Sequence, residues 1–282
     1  MARRLNNLQN ALRIALGAIA LFFSAGPLAA EPEQAEEAAL LSCDFEEKDS
    51  QGLYDRLVRH DLLEVVEGEG VNGSKALRAS YVGYERGSKR IVLSHPLPKQ
   101  VKEATLHYDV KFARGFQFVK GGKLHGLGPE QPITGGRPMK PEGWSARAMW
   151  RGNNGLNTYA YSQNKQGQYG QGADRMLRFS FRPGRYYAVS IYVKLNDPVS
   201  AANGSMRIYV NGKGVADHRG IRFRGTDGDK TLINKLLFST FHGGQDPSWA
   251  PKDEAGKYTT VHAYFDNLAV YEGLVVRKKP GG

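Results

Sequence analysis

Cationic and phenolic side chains alternate with apolar ones in three short stretches of the chain. Lys123 lies in the first, Ser145 and Arg147 in the second, and Tyr159 and Tyr161 in the third. A phenol has a reference pKa of about 10, so it removes a proton at neutral pH only if nearby cations favour its anion. This set of residues therefore indicates proton transfer on an anionic reactant.

One reaction with these requirements is β-elimination in a chain of uronic acids. The C6 carboxylate must be neutralised, the neighbouring C5 proton removed and the departing O4 protonated. Arginine, lysine and amide donors meet the carboxylate best. Arg147 and Lys123 beside Tyr159 and Tyr161 supply that combination. Any one of them alone reads more simply as a side chain covering a sheet, and only their confinement to one face favours chemistry.

The alternation is that of β-strands, in which successive side chains point to opposite faces. The even positions of the second stretch are apolar: Trp144, Ala146, Ala148 and Trp150. Residues 152–155, Gly-Asn-Asn-Gly, then predict a hairpin with a three-residue loop and a bulge. If the apolar sets of both strands share one core, paired positions sum to 306, which sets Arg147 opposite Tyr159 and Ser145 opposite Tyr161.

Five polar residues near these strands are candidate substrate ligands: Ser145, Asn157, Arg151, His125 and His242. His125 is predicted in a loop beside the cleft, where it could shuttle a proton near neutral pH or simply be solvated. His242, in a Phe-His-Gly-Gly turn, is predicted on the far cleft wall. The histidines show no zinc-ligand spacing, and neither a metal nor another cofactor is expected.

The ends of the chain have distinct compositions. Residues 1–30 carry three arginines, no acidic residue, an apolar run at 15–23 and small residues up to 30, which predicts a cleaved signal peptide. That run is short for a membrane span, so a secreted or periplasmic protein without a membrane anchor is expected. Residues 31–37 are predicted as an exposed acidic N-terminus, and 276–282 as a basic C-terminal tail.

The net charge is strongly positive, at +11, and loss of the three N-terminal arginines leaves +8. A basic exported domain attracts anionic polymers. The predicted location favours an acidic polysaccharide as partner over nucleic acid, which is not expected to bind. A monomer is expected, and the single cysteine, Cys43, permits no intramolecular disulfide.

Residues 38–275 predict an all-β fold, a single-domain two-sheet jelly-roll β-sandwich. Strand-like runs recur at 91–97, 104–112, 176–181, 186–195, 206–210, 232–241 and 260–271. Turn signals separate them, and Asn211-Gly212 is a strong two-residue hairpin turn. Helical periodicity is limited to a short turn at 50–59.

Five segments also carry a family resemblance: Phe118–Leu127, Trp144–Arg151, Tyr159–Tyr161, Ser239–Gly244 and Tyr264–Leu268. Together they resemble the family-14 polysaccharide lyases, which include alginate lyases and glucuronan-degrading relatives. The resemblance implies a jelly roll with its cleft on the concave sheet and metal-independent cleavage of polyuronate by β-elimination. It sets the family's functional lysine on Lys123, its Ser-x-Arg on Ser145 and Arg147, and its tyrosine pair on Tyr159 and Tyr161. His125 departs from the proline that the family usually has there.

The expected function is thus a polysaccharide lyase acting on alginate, with a mannuronate-rich form favoured, or on glucuronan. The alternative is a non-catalytic module that binds anionic carbohydrate, because the same fold serves both functions. A lyase creates a double bond conjugated to the carboxylate, which absorbs in the near ultraviolet. A binding module leaves its ligand unchanged.

Overall fold

The computed structural model describes residues 38–173 and 175–282. The predicted signal peptide and the acidic segment 31–37 lie outside the described residues. The strands are β1 (Leu41–Cys43), β2 (Leu63–Val66), β3 (Ala76–Tyr84), β4 (Gly87–Ser88), β5 (Ile91–Val101), β6 (Glu103–Phe112), β7 (Gly121–Gly128), β8 (Ser145–Arg151), β9 (Leu156–Tyr161), β10 (Arg175–Met176), β11 (Tyr186–Lys194), β12 (Gly204–Val210), β13 (Lys213–Ile221), β14 (Ile233–His242) and β15 (Thr260–Glu272). One α-helix, α1 (Leu53–Val58), and 3-10 turns at Val71–Gly73, Asp229–Thr231 and Pro247–Trp249 complete the described elements.

The strands form two antiparallel sheets. The large sheet has the order β10-β13-β12-β11-β6-β15-β3-β2, with β1 beside β15 and β4 beside β3. The small sheet has the order β5-β14-β7-β8-β9. The predicted all-β, two-sheet jelly-roll β-sandwich is therefore confirmed. No helix among the described residues is long and apolar enough to cross a membrane.

The core lies between the sheets and is rich in aromatic rings. Trp144, Ala146, Ala148 and Trp150 are fully buried in it, as their even positions predict. The two indole nitrogens donate to the Thr231 and Phe118 carbonyls, at 2.8 and 3.0 Å, so these rings leave no unpaired polar atom in the core. With the even residues committed to the core, the odd residues of β8 must face outward.

The β8–β9 hairpin has the predicted register. Ser145 pairs with Tyr161 and Arg147 with Tyr159. The Arg151 N–H donates to the Gly155 carbonyl at 2.9 Å, which leaves a loop of residues 152–154. Asn154 closes this loop at a φ of 60°, a left-handed conformation that asparagine tolerates better than most residues.

Other local predictions had mixed outcomes. The Asn211-Gly212 turn and the short helix are confirmed, but the predicted strand at 176–181 is wrong beyond Met176. Arg175 and Met176 pair with β13, and the Leu177 N–H still donates to the Val215 carbonyl of that strand at 2.9 Å. The chain then leaves that strand, because the Phe181 N–H donates instead to the Asn154 carbonyl of the β8–β9 hairpin, at 2.9 Å.

The basic C-terminal segment 276–282 lies against the outer face of the large sheet. The Arg277 N–H donates to Ser190 Oγ at 3.3 Å, and its guanidinium donates to the Asn267 carbonyl at 2.8 Å. The Gly281 N–H donates to the buried Asp109 carboxylate at 2.9 Å. These bonds tie the last residues to β6, β11 and β15.

Candidate active site

A β-bulge in β7 sets the direction of Lys123. Lys123 pairs with Met149 of β8, but the next pair is Gly126 with Arg147, so β7 carries one extra residue. At Gly126 the backbones approach so closely that a Cβ would lie 1.9 Å from the Ala146 carbonyl oxygen. Lys123 faces outward before the bulge, whereas Leu124 and His125 both point into the core after it.

The outward face of the small sheet forms the floor of a cleft of about 580 Å³. Four basic residues line it: Arg90, Lys123, Arg147 and Arg151. Asp246 is the one acidic residue among the described residues that line it. Tyr159 and Trp249 add aromatic surface. The cleft therefore combines excess positive charge with aromatic rings, which suits an acidic sugar chain.

The four predicted catalytic residues meet at the centre of this cleft. Lys123 Nζ lies 3.8 Å from the centroid of the Tyr159 ring and 3.3 Å from the Met149 sulfur. The Arg147 guanidinium carbon lies 5.7 Å from the same centroid. The Tyr161 ring meets the Tyr159 ring edge-on at 5.7 Å. The structure thus brings together Lys123, Arg147, Tyr159 and Tyr161 as the alternation predicted.

Burial and mutual repulsion alter the protonation of this cluster. Burial, with repulsion from Arg147, Arg151 and Arg90, lowers the pKa of Lys123 to about 7. Burial raises the pKa of Tyr159 well above its ordinary value, and neighbouring Tyr161 raises it further. Arg147 favours the Tyr159 phenolate, as expected, but burial and Tyr161 outweigh it, so the net shift keeps the phenol protonated in the free protein. Near neutral pH the cluster holds a lysine that loses its proton readily and a phenol that keeps its own.

Tyr161 differs from Tyr159 in its surroundings. Its ring is fully buried, and its hydroxyl accepts a hydrogen bond of 2.8 Å from the Gly136 N–H. Tyr159 keeps 8% of its surface exposed to the cleft. Tyr161 is therefore committed to holding the loop around Gly136, which leaves Tyr159 as the tyrosine more accessible to a reactant.

Ser145 and Asn157 lie on the cleft side of the small sheet, but their polar groups are occupied. Ser145 Oγ donates to the Ile133 carbonyl at 2.7 Å. Asn157 Oδ1 accepts from the Ala173 N–H at 3.1 Å. Both side chains are buried, so the prediction that they bind substrate is wrong for this arrangement. Their hydrogen bonds fix the loops that contain Ile133 and Ala173, which border the cleft. Arg151, in contrast, lines the cleft as predicted.

The two histidines predicted as substrate ligands lie in the core instead. His125 is fully buried, stacked on the Phe238 ring at 3.9 Å, because the bulge turns it inward. His242 is buried against Tyr81, and its Nε2–H donates to the Gln117 carbonyl oxygen at 2.7 Å. Neither reaches the cleft, so the predicted roles of both are wrong. Burial lowers their pKa values to about 3 and about 4, so both are neutral.

Arg90 and Trp249 are among the cleft-lining residues that sequence reasoning missed. Arg90 precedes β5 and stacks over the Phe241 ring at 5.6 Å. Trp249 lies on the turn after β14, close against Gly244, where a Cβ would come within 2.1 Å of the indole. The available signals were a cation directly before a strand and an aromatic residue after a Gly-Gly pair. Arg90 and Trp249 reach the cleft only because β5 and β14 lie next to β7 in the small sheet, in the order β5-β14-β7.

The described residues contain no group of three or more His, Cys, Asp or Glu side chains arranged to hold a metal ion.

Comparison with known proteins gives the chain its family. The model of polysaccharide lyase 14 matches residues 78–268. The chain belongs to this family. The predicted resemblance is thereby confirmed, as is the prediction of a polysaccharide lyase. None of the curated proteins compared with the chain matched it.

Solved structures agree with this assignment. A mutant of alginate lyase Aly36B in complex with alginate trisaccharide is 26% identical, covers 71% of this chain and 82% of its own, and has a TM-score of 0.59. The PL-14 alginate lyase of Aplysia kurodai is 23% identical, with coverages of 84% and 100% and a TM-score of 0.64. The endo-β-1,4-glucuronan lyase of the fungus Trichoderma reesei is 16% identical, with coverages of 78% and 90% and a TM-score of 0.52. The last two similarities concern the fold alone.

Proposed function

We propose that this lyase cleaves an acidic polyuronate by β-elimination, with mannuronate-rich alginate favoured as substrate and glucuronan as the other candidate. The observation that carries the proposal is the contact of Lys123 with the Tyr159 ring beside the buried Arg147, on the floor of a cleft lined by four cations. The Aly36B complex with alginate trisaccharide supports alginate. The glucuronan lyase of Trichoderma reesei shares the fold and keeps glucuronan as a candidate.

The geometry assigns one role to each of three residues. Arg147, which remains charged despite burial, pairs with the C6 carboxylate and stabilises the negative charge that grows as C5 loses its proton. Lys123 in its neutral form removes the C5 proton, because its lowered pKa makes it the base available near neutral pH. The C5–H electron pair forms the C4–C5 double bond as the C4–O4 bond breaks. Tyr159 donates its proton to O4.

The proposal also covers the cellular location of the enzyme and its oligomeric state. The composition of residues 1–30 supports a secreted or periplasmic enzyme. In that location a cationic cleft meets polysaccharide rather than nucleic acid, and we propose that the enzyme acts as a monomer.

The decisive experiment uses the purified chain and a panel of alginates and glucuronan. We expect near-ultraviolet absorbance from unsaturated products, and loss of that signal in Lys123→Ala. A protein that retains polyuronate on a column without producing absorbance would be the non-catalytic binding module. Initial rates on mannuronate-rich alginate, guluronate-rich alginate and glucuronan identify the substrate.

A further inference from the structure

A second cavity, of about 500 Å³, lies on the large sheet. We name it the outer groove and define it by six lining residues: Arg175, Met176, Leu177, Arg207, Tyr209 and Arg219. None of these residues lines the catalytic cleft. Met206, Ile208 and Val210 of β12 are buried in the core, so Arg207 and Tyr209, which alternate with them, point to the opposite, outer face. The outer groove therefore belongs to a different sheet from the cleft.

Three guanidinium groups converge on one carboxylate in this groove. Arg175 and Arg207 are the cross-strand partners of Asp217 on either side of β13. Arg219 donates to one oxygen of Asp217 at 2.8 Å, and Arg207 Nε lies 3.5 Å from the other. Asp217 neutralises only one of the three cations, which leaves a surplus of two positive charges.

The hydrogen-bonding capacity of this cluster is also incompletely used. Arg207 Nε and Asp217 Oδ1, which lie 3.5 Å apart, are both buried, and neither has a hydrogen-bond partner among residues 38–173 and 175–282. A buried guanidinium nitrogen without a partner is costly. The Arg219 side chain is 67% exposed and the Arg207 side chain 34% exposed, so an anion in the groove can accept from their outer N–H groups. Guanidinium groups bind carboxylates well because of their planar fork.

Apolar surface lies beside these cations. Leu177 is 68% exposed and Met176 is 41% exposed, which is unusual for side chains that gain free energy from burial. Tyr209 flanks them, with Gly214 beside its ring. A Cβ at Gly214 would contact that ring at 3.8 Å, so the glycine leaves this part of the ring uncovered. A ligand that suits this groove carries anionic groups and also has an apolar face.

We propose that the outer groove is a second, non-catalytic binding site for an acidic polysaccharide chain. Sugar rings present C–H faces to Leu177, Met176 and Tyr209, while their carboxylates meet Arg175 and Arg207. The identity of the polymer as a polyuronate rests on the proposed function. A chain held in the groove keeps its other segments at high local concentration near the cleft, so the site strengthens retention of long polymers and leaves short oligomers unaffected.

The test separates polymer binding from turnover. Binding of long alginate is measured in a Lys123→Ala background, which prevents cleavage, with and without the pair Arg175→Met and Arg207→Met. Methionine keeps an apolar stem and removes the charge. The matched control is Arg59→Met, an exposed arginine that follows α1. We expect the pair to weaken polymer binding about tenfold and to reduce its salt dependence, because two charge-assisted contacts are lost. The control should change neither.

Steady-state kinetics of the same variants form the second part of the test. With Lys123 intact, the pair should raise KM for long alginate and leave kcat/KM for an alginate tetrasaccharide unchanged. Polymer binding equal to that of Arg59→Met would overturn the proposal. So would a dimer that dissociates in the paired variant, since the groove would then be an interface between two copies of this chain. Absence of cleavage by the unmodified protein would refute the proposed function instead, because the binding arm needs no turnover.

Discussion

The acid limb of the pH–rate profile is the most direct test of Lys123 as the base. Its pKa is lowered to about 7, and the proposed mechanism makes the neutral amine the active form, so kcat/KM should rise with pH. With that pKa, the neutral fraction increases about tenfold between about pH 6 and about pH 8. Because kcat/KM reports the free enzyme, the limb should have its midpoint near the pKa of Lys123 in the empty cleft.

Arg151→Met should move this limb. Arg151 repels the protonated lysine, and it lies two residues along β8 from Met149, the cross-strand partner of Lys123. Such diagonal neighbours are about 7–8 Å apart, which corresponds to a repulsion of about 0.6 kcal/mol in water and about 2 kcal/mol at an effective dielectric constant of about 20. At about 1.4 kcal/mol per pKa unit, removing this charge raises the pKa by roughly 0.4 to 1.6 units.

The expected displacement is large enough to measure. A rise of about half a unit lowers the neutral fraction at about pH 6.5 roughly threefold, beyond any loss of affinity that is independent of pH. Initial rates on an alginate tetrasaccharide at constant ionic strength, followed by product absorbance, give the profile. Arg59→Met makes the same charge change at a residue that does not line the cleft, and it should leave the midpoint in place. A limb that stays fixed in Arg151→Met, or a rate that falls with rising pH, would refute Lys123 as the base.

Three further predictions follow from the site and the core. Arg147→Ala should lower kcat about 100-fold or more with a smaller change in KM, because the charge that Arg147 meets grows in the transition state; an intact kcat with weakened binding would make it a substrate anchor only. Tyr159→Phe should abolish product absorbance while circular dichroism and polymer binding persist, and Tyr161→Phe should lose less activity because its hydroxyl only holds the Gly136 loop; the reverse order would exchange their roles. Folded His125 stays neutral, with its pKa lowered to about 3 by burial, so the unfolded chain binds more protons below about pH 6.5 and stability falls by about 1.4 kcal/mol per pH unit from there towards about pH 3. Urea unfolding at a series of pH values should therefore show a flatter acid dependence in His125→Leu, and an unchanged slope would contradict the assignment.

Local periodicity was sufficient for the β8–β9 hairpin and its outward-facing residues. Alternation places Arg147 and Tyr159 on the face opposite the tryptophans, and a register slip of one residue would expose the whole apolar set. The Gly-Asn-Asn-Gly loop selects the same register. These features depend on neighbours within a few residues, which is why sequence reasoning could predict them.

The positions of His125 and His242 could not be predicted from local periodicity. His125 alternates correctly for the cleft if β7 is regular, but the bulge between Lys123 and Gly126 reverses the alternation and buries it. The bulge depends on how closely β7 approaches β8 and β14, and neither approach is visible in a short stretch of sequence. The same applies to Trp249 and Arg90, which reach the cleft from segments far apart in the chain.

Sequence by itself determined the fold class, the hairpin register and the residue types of the reaction centre, because strand alternation and turn chemistry are local. Tertiary structure alone decided which of those residues reach the cleft and in which protonation state. Burial and the convergence of Arg147, Arg151 and Arg90 lower the pKa of Lys123, while burial and Tyr161 raise that of Tyr159. The proposed exchange of base from tyrosine to lysine rests on desolvation and charge–charge distances, which exist only once distant strands have been brought together.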